Sequence, residues 1–284
     1  MRYGFIGLGA MGQKMAANVA AKMARTDSLG VFDVVASRAT MGTAMASPLE
    51  VAQNAETIFT SLPEGKHVRS VFEAIVPKLS GPKKVFFDCS TIDVKTSKEM
   101  AKLVQDAGHE YIDAPVSGGT VGAEMGTLTF MVGSRNNELV TPPLSLMGKR
   151  IFCCGDQSAG LAAKLANNYI LALQNLATAE GFALASKLGL DLKTFSEIVN
   201  VSSGQSWSSK VNNPVPGVDA NTPSSKDYNG GFAVKLMLKD LKLAMESAEQ
   251  NGLPLPLGMH APEVYQGLDQ DKDFSVHYRT ILAA

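Results

Sequence analysis

Arg2-Tyr-Gly-Phe-Ile-Gly-Leu-Gly-Ala-Met-Gly12, at the start of the chain, is an apolar run that passes into three spaced glycines. Residues 3–8 read as a short buried strand and residues 11–24 as a helix. Gly7-Leu8-Gly9-Ala10-Met11-Gly12 is then G-x-G-x-x-G between a strand and a helix, the context that a dinucleotide-binding turn requires. Gly7 permits the tight turn, Gly9 lets a pyrophosphate approach the backbone, and Gly12 allows close helix–strand packing. The helix N-terminus faces the phosphates with its partial positive charge. The pattern alone is weak; its place between an apolar strand and a helix gives it weight.

If the cofactor is NAD, the next strand should end in an acid. Leu29-Gly-Val-Phe-Asp33 fits, and the Asp33 carboxylate would accept hydrogen bonds from the adenosine ribose and repel a 2′-phosphate. The span from Gly7 to Asp33 exceeds the usual ~20 residues, an excess assigned to the loop Arg25-Thr-Asp-Ser28. Ser37 and Arg38 follow closely, and an arginine there can hold a 2′-phosphate, so NADP stays open beside NAD.

Further along, strand and helix signals alternate. Strand candidates are residues 30–34, 57–62, 85–88, 110–114, 127–132 and 150–153, with helical stretches such as 68–76 and 95–107 between them. That alternation predicts a parallel sheet with helices on both faces. After Gly160 the strand signals vanish, and residues 161–188, 192–199, 233–251 and 256–267 read as helices around a Ser-, Asn- and Pro-rich loop at 202–228. The expected fold is α/β: an N-terminal Rossmann-type doubly wound sheet over residues 1–159, then an all-α domain over 160–284.

Two further stretches carry chemistry. Asp113-Ala-Pro-Val-Ser-Gly-Gly-Thr-Val-Gly-Ala-Glu-Met-Gly-Thr-Leu128 crowds Ser117, Gly118 and Gly119 into one turn. Glycines leave backbone N–H groups uncovered, and successive N–H groups form a concave anion site. With the Ser117 hydroxyl this predicts a pocket for a small carboxylate; the plainer alternative is a flexible glycine loop. Gly155-Asp-Gln-Ser-Ala-Gly160-Leu-Ala-Ala-Lys164-Leu-Ala-Asn-Asn168 opens a long apolar helix. Lys164 and Asn168 are four apart and share one face. A lysine among apolar neighbours has its charged form destabilised, which suits a proton donor and acceptor. The plainer alternative is a snorkelling lysine, but a helix start disfavours a cation.

Composition sets bounds. The chain has 284 residues, 45% hydrophobic and 19% charged, so it can bury a large core. Its 26 Lys and Arg against 27 Asp and Glu, net −1, give no pull toward nucleic acid or a membrane surface. Cys89, Cys153 and Cys154 form no disulfide framework or zinc spacing, and His67, His109, His260 and His277 form no metal pattern. No metal is expected, and a reducing compartment is, cytoplasm or mitochondrial matrix, since the first strand leaves no room for a targeting segment. Lys164, Gln174, Asn175, Glu180 and Lys187 interrupt the most apolar stretch, which argues against a membrane span.

With these motifs in place, the chain resembles the β-hydroxyacid dehydrogenase family over almost its full length, most of all its 3-hydroxyisobutyrate dehydrogenase subgroup. Ser202-Ser-Gly-Gln-Ser-Trp-Ser-Ser209, Asn213-Pro-Val-Pro-Gly217 and Tyr228-Asn-Gly-Gly-Phe232 look like that subgroup's substrate-domain loop, and Lys239-Asp-Leu-Lys-Leu-Ala244 resembles the family's cofactor-side helix. The resemblance implies an oxidoreductase with Lys164 as general acid/base, Asn168 orienting substrate, and Ser117, Gly118 and Gly119 on its carboxylate. It also implies Ser90-Thr91 and Leu62-Pro63 along the cofactor, Phe232 and Lys239 closing over it, Trp207 near the substrate, and a homodimer or homotetramer. Hydride would pass between nicotinamide and a small 3-hydroxy acid. Semialdehyde and glyoxylate reductases of the same family, and a non-catalytic scaffold, are the alternatives. Ser158, Gln205 and Val94 stand where relatives often have Gly, Arg and Pro, and residues 36–46 are short for a helix and strand of this fold.

Overall fold

Successive residues of the first strand face opposite sides of a sheet, and both sides are buried. Tyr3 and Phe5 enter one apolar cluster and Ile6 another. The structure, a computed structural model, describes residues 1–283 and divides into two compact units, Met1–Lys164 and Leu165–Ala284.

The first unit runs β1 (Arg2–Ile6), α1 (Gly12–Lys22), β2 (Ser28–Phe32), β3 (Thr43–Ala44), α2 (Pro48–Asn54), β4 (Thr57–Thr60), α3 (Gly65–Ile75), β5 (Val85–Asp88), α4 (Val94–Asp106) and β6 (Glu110–Asp113). It continues with β7 (Val116–Ser117), α5 (Gly119–Met125), β8 (Leu128–Val132), α6 (Asn137–Leu144), β9 (Gly148–Cys153) and the start of α7 (Ala159–Lys187). The main sheet is parallel, ordered β3-β2-β1-β4-β5-β6. Its direction of winding switches beside β1, where such sheets leave a crevice at the carboxyl ends of their strands. Register places Phe5 beside Phe59 and Phe59 beside Phe87, with ring centroids 5.8 and 5.7 Å apart. Each buried phenylalanine is worth roughly 1.5–3 kcal/mol by area alone, so this column is a main support of the sheet.

Three segments differ from what their sequence suggests. The strands at 127–132 and 150–153 do not extend the parallel sheet. They form a separate sheet, β7-β8-β9, in which β7 and β8 are antiparallel. Residues 36–46 do hold the missing pieces, as a 3-10 turn at Ala36–Arg38 and the short strand β3. The loop at 202–228 is not featureless. It contains α9 (Trp207–Lys210) after α8 (Leu192–Val201), and a 3-10 turn at Pro223–Lys226. Ser206 and Ser209 make a reciprocal capping box on α9, a start signal obscured by the surrounding serines.

The second unit holds the rest of α7, then α8, α9, α10 (Val234–Gln250), α11 (Ala261–Gln266) and α12 (His277–Ala283). Its core gathers Ala172, Tyr228, Val234, Met237, Leu241, Tyr265 and Phe274.

Buried polar groups shape the first unit. Asp88 ends β5 at 1% exposure. It accepts from Thr60 Oγ1 (2.8 Å), the Ser90 amide (3.1 Å) and Tyr111 Oη (2.8 Å). Burial pushes its carboxyl above the ordinary aspartate value, against the pull of those donors. A carboxyl raised in the fold binds more protons folded than unfolded. Its contribution to stability is fullest at low pH and is lost as pH rises from the ordinary value through the raised one. In Asp88→Asn an amide of the same shape never ionises. The stability difference from wild type, read from urea midpoints, should move in the variant's favour from about pH 4 upward. Movement the other way would show that the fold prefers the carboxylate.

Ser158, one residue before α7, is a non-glycine with φ +74°, and its buried hydroxyl has no hydrogen-bond partner among the described residues. Left-handed backbone costs a non-glycine about 1–2 kcal/mol, and an unpaired buried hydroxyl adds to that. Ser158→Gly should therefore raise stability by about 1 kcal/mol net of glycine's added chain entropy, seen as a higher urea midpoint. A lower midpoint would mean that the hydroxyl contributes to the fold.

Candidate active site

The carboxyl edge of the main sheet collects several of the singled-out residues. Gly7 has φ +95°, and a Cβ there would strike the Ser61 carbonyl. A Cβ on Gly12 would strike the Gly7 carbonyl, whereas Gly9 has nothing within 4 Å. Two glycines are demanded by close backbone approach and the third faces open space, which is what a turn accommodating a pyrophosphate needs. Leu8 is buried, Ala10 exposed and Met11 intermediate. No side chain caps α1 and no acid sits in its first turn, so its positive end is not countered locally.

Asp33 follows β2 directly. The Leu8 amide donates to its Oδ2 at 2.7 Å and the Val35 amide to its Oδ1 at 2.8 Å. The carboxylate thus braces the glycine turn itself, a role the sequence reading did not foresee. Arg38, half-exposed, lies 3.4 Å from Asp33 Oδ1.

At the next strand ends, the Leu62 amide donates to Ser90 Oγ at 2.9 Å and the Cys89 amide to the Thr60 carbonyl at 2.8 Å. Leu62, Ser90 and their neighbours Pro63 and Thr91 therefore belong to two turns tied together above β4 and β5. Asp88 organises both from below, through Thr60 and Ser90.

Ser117 closes β7, paired with Thr129 of β8. Gly118 and Gly119 follow with φ +129° and +61°, both exposed, and nothing lies within 4 Å of a Cβ on Gly119. Lys164 is 7% exposed on the second turn of α7.

In the second unit, Asn168 is 1% exposed, one helical turn beyond Lys164. Its Nδ2 donates to Asp240 Oδ2 at 2.6 Å, and Lys239 Nζ lies 3.2 Å from Asp240 Oδ1. Asp240 thus links Asn168 to Lys239. Trp207 is 48% exposed and stacks on Phe274, with centroids 6.5 Å apart; Phe232 meets Phe274 edge-on at 6.0 Å. Asp273 accepts from the Phe232 amide (2.7 Å) and from Asn212 Nδ2 (3.0 Å). Gln205 is exposed and donates to the Asn200 carbonyl.

Four buried carboxylates, Asp88, Asp113, Asp240 and Asp273, were not singled out as site residues from sequence. The signal for the first two was present: Phe86-Phe-Asp88 and Tyr111-Ile-Asp113 each put an acid at the end of an apolar run, as Asp33 does.

Residues 2–155 match the family model described as the NAD binding domain of 6-phosphogluconate dehydrogenase. Residues 158–281 match that described as NAD-binding of NADP-dependent 3-hydroxyisobutyrate dehydrogenase. The chain is similar to a probable mitochondrial 3-hydroxyisobutyrate dehydrogenase of Arabidopsis thaliana, 40% identical over 97% of this chain and 86% of that protein. It is 40% identical to the mitochondrial 3-hydroxyisobutyrate dehydrogenase of Homo sapiens, over 96% and 84%. Among solved structures, Mycobacterium tuberculosis 3-hydroxyisobutyrate dehydrogenase with L-serine aligns at a TM-score of 0.92 and 37% identity, over 99% of this chain and 98% of that one. By these likenesses over nearly its full length, the chain belongs to the 3-hydroxyisobutyrate dehydrogenase family.

Proposed function

We propose that this chain is an NAD(P)-dependent dehydrogenase that interconverts 3-hydroxyisobutyrate and methylmalonate semialdehyde. One observation carries the chemistry: Lys164 is buried to 7% exposure near the start of α7, and buried Asn168 follows one turn later. A lysine is rarely buried unless it is paired, and here Asn168, a group able to orient a substrate oxygen, follows it on the same helix.

The dinucleotide fits the glycine turn by the test of its three glycines. Gly7, Leu8, Gly9, Ala10, Met11 and Gly12 would hold its pyrophosphate, with Leu62, Pro63, Ser90 and Thr91 along it and Phe232 and Lys239 over it. Asp33 favours NAD over NADP, since a carboxylate repels a 2′-phosphate. Bound there, the nicotinamide supplies the hydride acceptor or donor. The protein supplies position and a proton path. Ser117, Gly118 and Gly119 would take the substrate carboxylate, fixing the distance from the anchored end to the reacting carbon. Lys164 Nζ would accept the hydroxyl proton in oxidation and return one to the carbonyl oxygen in reduction. Asn168 would hold that oxygen, its own amide fixed by Asp240. Trp207 would wall the substrate. The L-serine in the mycobacterial structure carries a carboxylate and a 3-hydroxyl, the two handles this reading uses.

Self-association as a dimer or tetramer is part of the proposal. Ile170 and Leu184 on α7, Leu188 just after it, and Ile198 and Val201 on α8 are exposed apolar side chains that such an assembly would cover. No helix among the described residues is long and apolar enough to cross a membrane. Cytoplasm or mitochondrial matrix is the proposed compartment; the relatives from Arabidopsis thaliana and Homo sapiens are named mitochondrial.

General acid–base groups contribute about 10²–10⁴-fold in rate. Lys164→Ala should lower kcat by that order, with NADH binding by fluorescence titration nearly intact, and Lys164→Arg should not rescue it because a guanidinium stays protonated. Near wild-type kcat in Lys164→Ala, where chemistry limits the rate, would remove Lys164 from the reaction.

A further inference from the structure

Asp113 ends β6 at 1% exposure, immediately before the turn that leads to Ser117. Its carboxylate does not face that turn. Oδ1 accepts the Ser158 amide at 2.7 Å and Oδ2 accepts the Leu161 amide at 2.9 Å. These donors belong to the leading end of α7, where backbone N–H groups have no partner within the helix. Two glycines make the approach possible. A Cβ on Gly133 would collide with the Asp113 carboxylate, and a Cβ on Gly160 would strike the Met131 carbonyl and lie 2.9 Å from Asp113 Oδ2.

The backbone of the same segment is tied elsewhere. The Ala114 amide donates to the Asp88 carbonyl (2.8 Å), the Gly133 amide to the Asp113 carbonyl (2.8 Å) and the Met131 amide to the Pro115 carbonyl (3.0 Å). Val116 and Ser117 then pair with Phe130 and Thr129. One residue therefore joins three things: the end of the main sheet, the strand leading into Ser117, and the first turn of the helix that carries Lys164.

We propose that Asp113 is a positioning residue for the reaction, holding the first turn of α7 in fixed register with the Ser117 turn. This rests on the reading that Lys164 is the acid/base and that Ser117, Gly118 and Gly119 take the carboxylate. A carboxylate accepting two backbone N–H groups at a helix start makes charge-assisted bonds that align with the helix dipole. It fixes both the direction and the phase of the helix, and Lys164 lies three residues beyond Leu161. Burial pushes the Asp113 carboxyl above the ordinary aspartate value, while the Leu161 and Ser158 amides pull it back. The carboxylate is thus buried where water cannot replace it.

Asp113→Asn keeps the shape, but its NH2 faces one of the two helix amides as donor against donor. A small misplacement of a catalytic group can cost about 10²-fold. The expected result is a kcat about 10–100-fold lower, with NADH affinity unchanged and a larger deuterium isotope effect on kcat for substrate deuterated at the carbinol carbon. In the Lys164→Ala background, Asp113→Asn should cause little further loss, because a residue acting through Lys164 has nothing left to position. Gly160→Ala keeps the Asp113 carboxyl group but forces it and the turn apart; it should show the same split and decides the matter if Asp113→Asn does not fold. A folded Asp113→Asn enzyme with wild-type kcat, or one losing kcat and NADH affinity together, would overturn the proposal. If Lys164→Ala is active, the acid–base reading fails and this proposal with it. If Lys164→Ala is inactive while Asp113→Asn and Gly160→Ala turn over normally, only the positioning role fails.

Discussion

Aspartates at the ends of main-sheet strands accept backbone amides of neighbouring turns and of a helix start. A parallel sheet ends in turns whose N–H groups have left the ladder, and burying them without acceptors costs about 1–3 kcal/mol each. Asp33, Asp88 and Asp113 follow or end β2, β5 and β6; Asp33 and Asp88 accept such turn amides, and Asp113 accepts two at the start of α7. Each also joins two segments distant in sequence: Asp33 joins the β2 end to the glycine turn, Asp88 joins β5 to β4 and β6, and Asp113 joins β6 to α7. The edge on which the proposed chemistry occurs is therefore braced from within by hydrogen bonds to aspartate side chains as well as by apolar packing.

The second unit repeats the device. Asp240 fixes Asn168, and Asp273 fixes the Phe232 amide together with Asn212. Gly231 sits where a Cβ would run into the Asp273 carboxylate, so it reflects room for that acceptor as well as a turn, whereas Gly230 serves the turn alone. In both units a glycine next to a buried aspartate is explained by the aspartate.

Much of the fold was legible because its signals are local. The apolar run through Ile6, the spaced glycines and the period of the later helices each specify structure within a few residues. What escaped depends on distant partners. The separate β7-β8-β9 sheet begins with a strand of two residues, too short to carry a period. Helix α6 contains Pro142 and Pro143, which argue against a helix by propensity, yet it forms with Asn136 as its cap. The residues proposed for the site were chosen from motifs, and the turns holding Leu62 and Ser90 do come together. Their supports were harder to see. An aspartate after an apolar run reads equally as a surface turn residue, and only the folded chain shows which amides it accepts.

In the proposed reaction, hydride transfer occurs at the hydroxyl-bearing carbon of a small 3-hydroxy acid whose carboxylate anchors it. Steady-state kcat/KM across 3-hydroxyisobutyrate, other 3-hydroxy acids, 2-hydroxy acids and the matching semialdehydes, each with NAD and with NADP, tests it most directly. The expected result is the highest value for 3-hydroxyisobutyrate with NAD, a marked loss when the carboxylate is esterified, and poor turnover of 2-hydroxy acids. Glyoxylate or another semialdehyde reduced far faster than methylmalonate semialdehyde, or no hydride transfer with any member of the panel, would contradict it.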